Sequence, residues 1–121
     1  MSNIKGPDFI TLLVRDLEPS RRFYTEILGF KPSPENRPNA VAFSAEPISF
    51  AIRKTSQGPV AVSHPGEGII LWFKADDSSA VCELLKSHGV PIVQDLADSP
   101  FGKTFTFRDP DGYLISVHDG G

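Results

Sequence analysis

The sequence predicts an α+β fold: two tandem βαβββ units forming a curved, partly open sheet around a cleft, with the helices on the outer face. Three observations lead there. An apolar run followed by an amphipathic helical stretch occurs twice, at 9–28 and again at 69–88. Each helical stretch lies between an aspartate and a glycine, Asp16 to Gly29 and Asp76 to Gly89. Both separations are thirteen positions, and the offset of sixty is half of a 121-residue chain. Short β-rich segments, punctuated by turn residues, follow each helix.

"FITLLVRD" at 9–16 is rich in β-branched and aromatic residues and reads as a strand buried on both faces. In "LEPSRRFYTEILGF", Pro19 suits a first helical turn and Gly29 the position just past a helix end. Phe23, Tyr24, Ile27 and Leu28 share one apolar stripe of that helix, expected near 18–28. Strands are expected around 30–33, at 40–44 and at 48–54. The Gly-, Pro- and Ser-rich stretch at 55–68 reads as a linker. The pattern then restarts. "GIILWFKAD" reads as a second buried strand, and a helix follows over 78–88 with Ser78 or Ser79 as cap and Gly89 past its end. Val81, Leu84, Leu85 and His88 are expected on its inner face. "VPIVQD", "GKTFTFRD" and "YLISVHD" complete the unit, with the last strand near 113–118. Neither unit holds enough core alone, so one domain is expected over 1–121, with unit one about 8–54 and unit two about 69–119.

Bulk properties narrow the function classes. The net charge is −3 and the pI about 5.5, with no basic patch in the sequence. That argues against a nucleic-acid backbone or an anionic membrane surface as partner, and fits a neutral or cationic small ligand. A single cysteine, Cys82, excludes an intrachain disulfide and a Cys-rich zinc site. The first residues carry no apolar signal segment and no apolar run reaches membrane-spanning length, so a cytoplasmic address is expected.

Three segments carry a family resemblance: "LLVRDLEPSRRFYTEILGF", "ILWFKADDSSAVCELLKSHGV" and "SPFGKTFTFRDPDGYLISV". Together they resemble the vicinal oxygen chelate superfamily, which includes glyoxalase I, extradiol dioxygenases, and fosfomycin and bleomycin resistance proteins. The quoted pieces are packing and turn motifs, so they speak for fold and not for chemistry. In metal-using members of that family, His, Gln or Glu side chains on the inner strand faces hold one divalent ion. By resemblance those positions fall on Phe9, on Ile69 or Ile70, on Ser49 or Ala51, and on Ser116. Phe and Ile have no donor atom, and a neutral Ser is a poor substitute for Glu, so no metal and no cofactor is expected. The resemblance is nearest in character to the bleomycin-resistance branch: no metal, a tryptophan in the equivalent strand, a "PFG"-like loop before the "RDP" turn, and sequestration of a ligand by a dimer.

The remaining reactive residues read as structural. Ser116, His118 and Asp119 are neighbours on one strand without a nucleophile elbow, which excludes a hydrolytic triad. His64 lies in the linker and is expected in solvent, and His88 ends a helix, where the dipole favours a cation. "PGEG" leads into a strand and is no phosphate loop. Cys82 is expected to pack on its helix, and Asp16, Asp76 and Asp77 to cap helices. Trp72 is different. If Ile70 faces the cleft, so do Trp72 and Lys74, while Leu71 and Phe73 face the helix. The expectation is a metal-free protein that sequesters a planar or aromatic small molecule in a cleft of a homodimer. Trp72 would stack on the ligand, Phe9 and Ile70 would form an apolar wall, Thr11 and Leu13 would line the cleft with them, and Ser116 and His118 would supply hydrogen bonds. The alternative is a glyoxalase-like lyase, isomerase or dioxygenase-type enzyme with atypical ligands, such as His118 with Glu46 or Glu67, or with none.

Overall fold

The computed structural model describes residues 3–34, 37–55 and 64–120. The chain divides into two compact units, Met1–Ser63 and His64–Gly121. Most of the expected linker, residues 56–63, lies outside the described residues. His64–Gly68 form turns, with the Glu67 N–H donating to the His64 carbonyl.

The first unit runs β1 (Phe9–Val14), α1 (Leu17–Arg22), a π-helical turn (Phe23–Ile27), β2 (Lys31–Pro32), β3 (Ala40–Ser44) and β4 (Ser49–Lys54). Its sheet order is β1-β4-β3-β2, with β1 and β4 parallel and the other pairs antiparallel. The second unit runs β5 (Leu71–Lys74), α2 (Ser78–Ser87), β6 (Ile92–Ser99), β7 (Gly102–Arg108) and β8 (Leu114–His118). Its order, β5-β8-β7-β6, repeats the first strand for strand, again with one parallel pair. Both sheets are open and mixed.

In each unit the helix seals one face of its own sheet. In the first, Tyr24 is fully buried, with its ring centroid 5.4 Å from Phe50 and 5.7 Å from Phe43. Phe30 meets Phe50 edge-on at 5.1 Å. In the second, Leu85 and Cys82 of α2 are buried, as are Phe105, Phe107, Ile115 and Val117 of the sheet, and the Phe105 and Phe107 rings stack at 5.9 Å. Burial of Cys82 is also the first cause of its raised thiol pKa, so the thiol stays protonated.

The opposite sheet faces are open, which corrects the expectation of strands buried on both faces. Leu12 and Val14 of β1 are buried, while Phe9 and Thr11 on the other face are exposed. In β5, Leu71 and Phe73 are half-buried, and Trp72 and Lys74 are exposed. Each helix covers one face, so a continuous apolar run here does not report two covered faces. The second strand is also shorter than expected: Ile69 and Ile70 precede β5.

Three further details of the second unit depart from the sequence reading. The α2 cap is Asp77, whose carboxylate accepts from Ala80 N at 3.1 Å; neither Ser78 nor Ser79 takes that place. Ser78 is buried within the first turn, and its N–H donates to Asp119 Oδ2 at 3.0 Å. The inner face of α2 is Ser78, Cys82 and Leu85, spaced four and three residues apart, with Val81 half-buried. Leu84 and His88 point outward, because a stripe through Cys82 lies on the side of the helix away from them.

Candidate functional site

The open face of each unit can be built from its strand register. In the first unit, Thr11 pairs with Ala51, and Ala51 with Ala42, so one row of small side chains crosses three strands. The next row is Leu13, Arg53 and Ala40. Larger groups, Phe9 and the Arg37 and Arg53 side chains, stand around the small row. The result is an open groove of about 380 Å3. That volume lies in the range of about 300–1,000 Å3 common for small-molecule sites.

In the second unit the matching rows are Trp72, Ser116 and Thr106, and then Lys74, His118 and Thr104. Trp72 is 54% exposed, so it is not core filling. Its ring meets His118 at 6.0 Å and Phe101 at 6.2 Å, and Phe101 lies 6.4 Å from His118, all three pairs edge-on. Phe101 is itself 54% exposed. The three rings therefore form an aromatic platform on the open face. Edge-to-face packing of this kind favours a fixed ring arrangement, which limits the entropy lost when a ligand lands on it.

Phe101 is held from behind. The Gly120 N–H donates to the Phe101 carbonyl at 2.6 Å, and Asp119 Oδ1 accepts from Lys103 N at 2.9 Å. A Cβ on Gly120 would lie 2.2 Å from the Phe101 carbonyl carbon, so only glycine lets these backbones meet. Asp119 thus bridges the first turn of α2 and the start of β7. The Ser78 N–H is the first cause holding its carboxyl below the ordinary aspartate range, with Lys103 N–H next. Asp119 has a structural task and takes no part in a triad.

The expected site residues divide between the two faces. Phe9, Thr11 and Leu13 lie on the open face of the first unit, together with Ser49 and Ala51. Trp72, Ser116 and His118 lie on that of the second, and Ile70, half-exposed, precedes β5 on the Trp72 side. Ser116 is not the free handle the sequence suggested. It is buried, and its Oγ is hydrogen-bonded to Thr106 Oγ1 at 2.6 Å, where it ties β7 to β8. His118 Nδ1 is buried without a hydrogen-bond partner among the described residues, which leaves Nε2 as the ring atom able to meet a ligand. Phe101, Arg37 and Arg53 were missed. The "PFG" loop was a usable signal for Phe101. For the arginines there was none, because alternation alone does not say which strand rows neighbour each other.

The family positions for a divalent ion do not fit one. Asp77 is the α2 cap as Asp16 occupies the N-cap position of α1, which selects Ile70 over Ile69 as the counterpart of Phe9. Phe9 and Ile70 offer no donor. Among the described residues no group of three or more His, Cys, Asp or Glu side chains is placed to hold a metal ion.

A sequence profile of the Glyoxalase/Bleomycin resistance protein/Dioxygenase superfamily matches residues 6–117. The chain belongs to this superfamily. Among its relatives, the phenazine antibiotic resistance protein EhpR of Enterobacter agglomerans is 34% identical over 127 residues, covering 97% of both chains. Solved structures share the fold over nearly the whole chain. A glyoxylase/bleomycin resistance protein/dioxygenase domain from Frankia sp. EAN1pec matches with TM-score 0.78 at 25% identity, over 98% of this chain and 94% of that one. TnmS3, an antibiotic binding protein from Streptomyces sp. CB03234, matches with TM-score 0.75 at 22% identity, with full coverage of both chains.

Proposed function

We propose that this chain is a metal-free binding protein that sequesters a planar aromatic small molecule in a cleft of a homodimer, giving protection against that molecule or carrying it. The observation that carries the reading is the half-exposed platform of Trp72, Phe101 and His118. A flat ligand stacks on Trp72 and His118 Nε2 supplies a directional hydrogen bond. Ile70 flanks the platform on the second unit, where Ser116 lies beneath it, and Phe9, Thr11 and Leu13 offer apolar and small contacts on the open face of the first. The phenazine resistance protein EhpR, a relative over almost the full chain, supports a fused aromatic ring system as ligand class. Half-exposed Phe9, Ile70, Trp72 and Phe101 leave apolar area that a second copy would cover in part, and sedimentation equilibrium tests this directly.

Trp72 is the single tryptophan, so its fluorescence reports this site alone. Titration with phenazine should quench it, and calorimetry should give a saturable isotherm. Trp72→Ala should weaken binding by about 1 kcal/mol or more, since ring stacking contributes roughly 0.5–1.5 kcal/mol beyond area. Unchanged affinity in that variant would remove the platform from the site. Elemental analysis should find no stoichiometric divalent ion, and a chelator should leave Tm and affinity unchanged.

A further inference from the structure

The groove of the first unit carries a charge that stacking does not use. Arg37 and Arg53 both line it, and both are backbone partners of the same alanine, Ala40. Among the described residues, no aspartate or glutamate lines it. The Arg53 guanidinium makes no ion pair or hydrogen bond among the described residues. A guanidinium stays charged at every working pH and presents a planar fork matched to a carboxylate. The chain as a whole is negative, at −3. Yet fields from remote surface charges fade over about 8 Å at physiological salt, so the local sign governs what settles in the groove. This reverses the neutral or cationic ligand that the net charge suggests.

We infer that the first unit's groove is a subsite for the acidic group of a planar aromatic acid, with Arg53 as the residue that selects it. The inference rests on the aromatic ligand class of the reading above and adds the ligand's charge, at the first unit's groove alone. The small row of Thr11, Ala51 and Ala42 admits the flat body, Phe9 bounds it, and Arg53 receives the carboxylate at the end of the row nearest Ala40.

The test is calorimetry of the full chain with a matched pair, phenazine-1-carboxylate and phenazine-1-carboxamide. The two differ in charge and little in shape. The carboxylate should bind about tenfold tighter or more, a preference that shrinks as salt rises. Arg53→Gln should remove most of the preference, lowering carboxylate affinity far more than carboxamide affinity, while Arg53→Lys keeps part of it. Equal affinities in the wild type, a preference that Arg53→Gln leaves intact, or no binding of the carboxylate would overturn the subsite. Carboxamide binding that Trp72→Ala weakens, without any charge preference, would leave the aromatic reading standing and remove this one. Failure of both probes to bind would remove both. Should Arg53→Gln not fold, the wild-type preference decides: loss with salt supports the subsite, and a salt-independent preference overturns it.

Discussion

The two units share strand order, parallel pair, helix position and a helix-sealed aromatic or aliphatic core, but beyond the half-exposed apolar pair Phe9 and Ile70 their open faces differ. The first presents a row of small side chains beside two arginines. The second presents Trp72, Phe101 and His118. The helices differ too. Cap to stop, Asp16 to Gly29 is thirteen positions and Asp77 to Gly89 is twelve. The first helix absorbs its extra residue as a π turn, in which the Leu28 N–H donates to the Phe23 carbonyl at 3.0 Å. The lesson is that a duplicated fold preserves the face that must pack and frees the face that need not. Close packing tolerates few side chains, whereas an open face is limited only by solubility and ligand.

The largest effects should break the packing faces equally. Phe43→Ala and Phe107→Ala, each at a nearly fully buried ring, should each lose about 3–5 kcal/mol in denaturant melts. Phe9→Ala and Trp72→Ala on the open faces should lose less than about 1.5 kcal/mol. A first unit that tolerates Phe43→Ala would mean that its core is not the counterpart of the second.

The glycines sharpen the contrast at the next level. Gly102 has φ +86°, and an added Cβ would sit 2.4 Å from Asp119 Oδ1 and 2.5 Å from Gly120 N. Gly102→Ala should therefore cost about 2–4 kcal/mol, combining left-handed backbone strain with a clash against backbone. It should also displace Phe101 and change Trp72 fluorescence. Gly29 and Gly89 have φ +84° and +72° with open space around them, so alanine at either should cost only the strain, about 1–2 kcal/mol, and equally in both units.

Smaller still is the pH effect of Asp119, which has no counterpart in the first unit. Its folded pKa is depressed, chiefly by the Ser78 N–H. A depressed carboxyl contributes stability that is fully present above the ordinary aspartate pKa of about 3.9, and that stability is lost as pH falls through the folded value. Asp119→Asn should lower Tm at neutral pH and flatten its decline in acid. The smallest change is expected at the exposed Lys103–Asp98 pair, 2.8 Å apart, where Asp98→Asn should leave Tm within error.

The periodicities and the Asp-to-Gly spacing were sufficient for two βαβββ units, both helices and nearly every strand, because each depends on local chemistry: alternation, helix stripes, and glycines at positive φ. Local pattern also placed Trp72 opposite Leu71 and Phe73. It did not tell that Asp77 and not Asp76 matches Asp16, since one residue hidden in a π turn shifts the repeat without disturbing either stop glycine. Nor did it tell that Ser116 is occupied by Thr106, that Asp119 and Gly120 brace Phe101, or that Arg37 and Arg53 converge on Ala40. Those facts depend on which strands lie side by side and in what register. Backbone hydrogen bonds between segments far apart in sequence decide that, and no single segment encodes it.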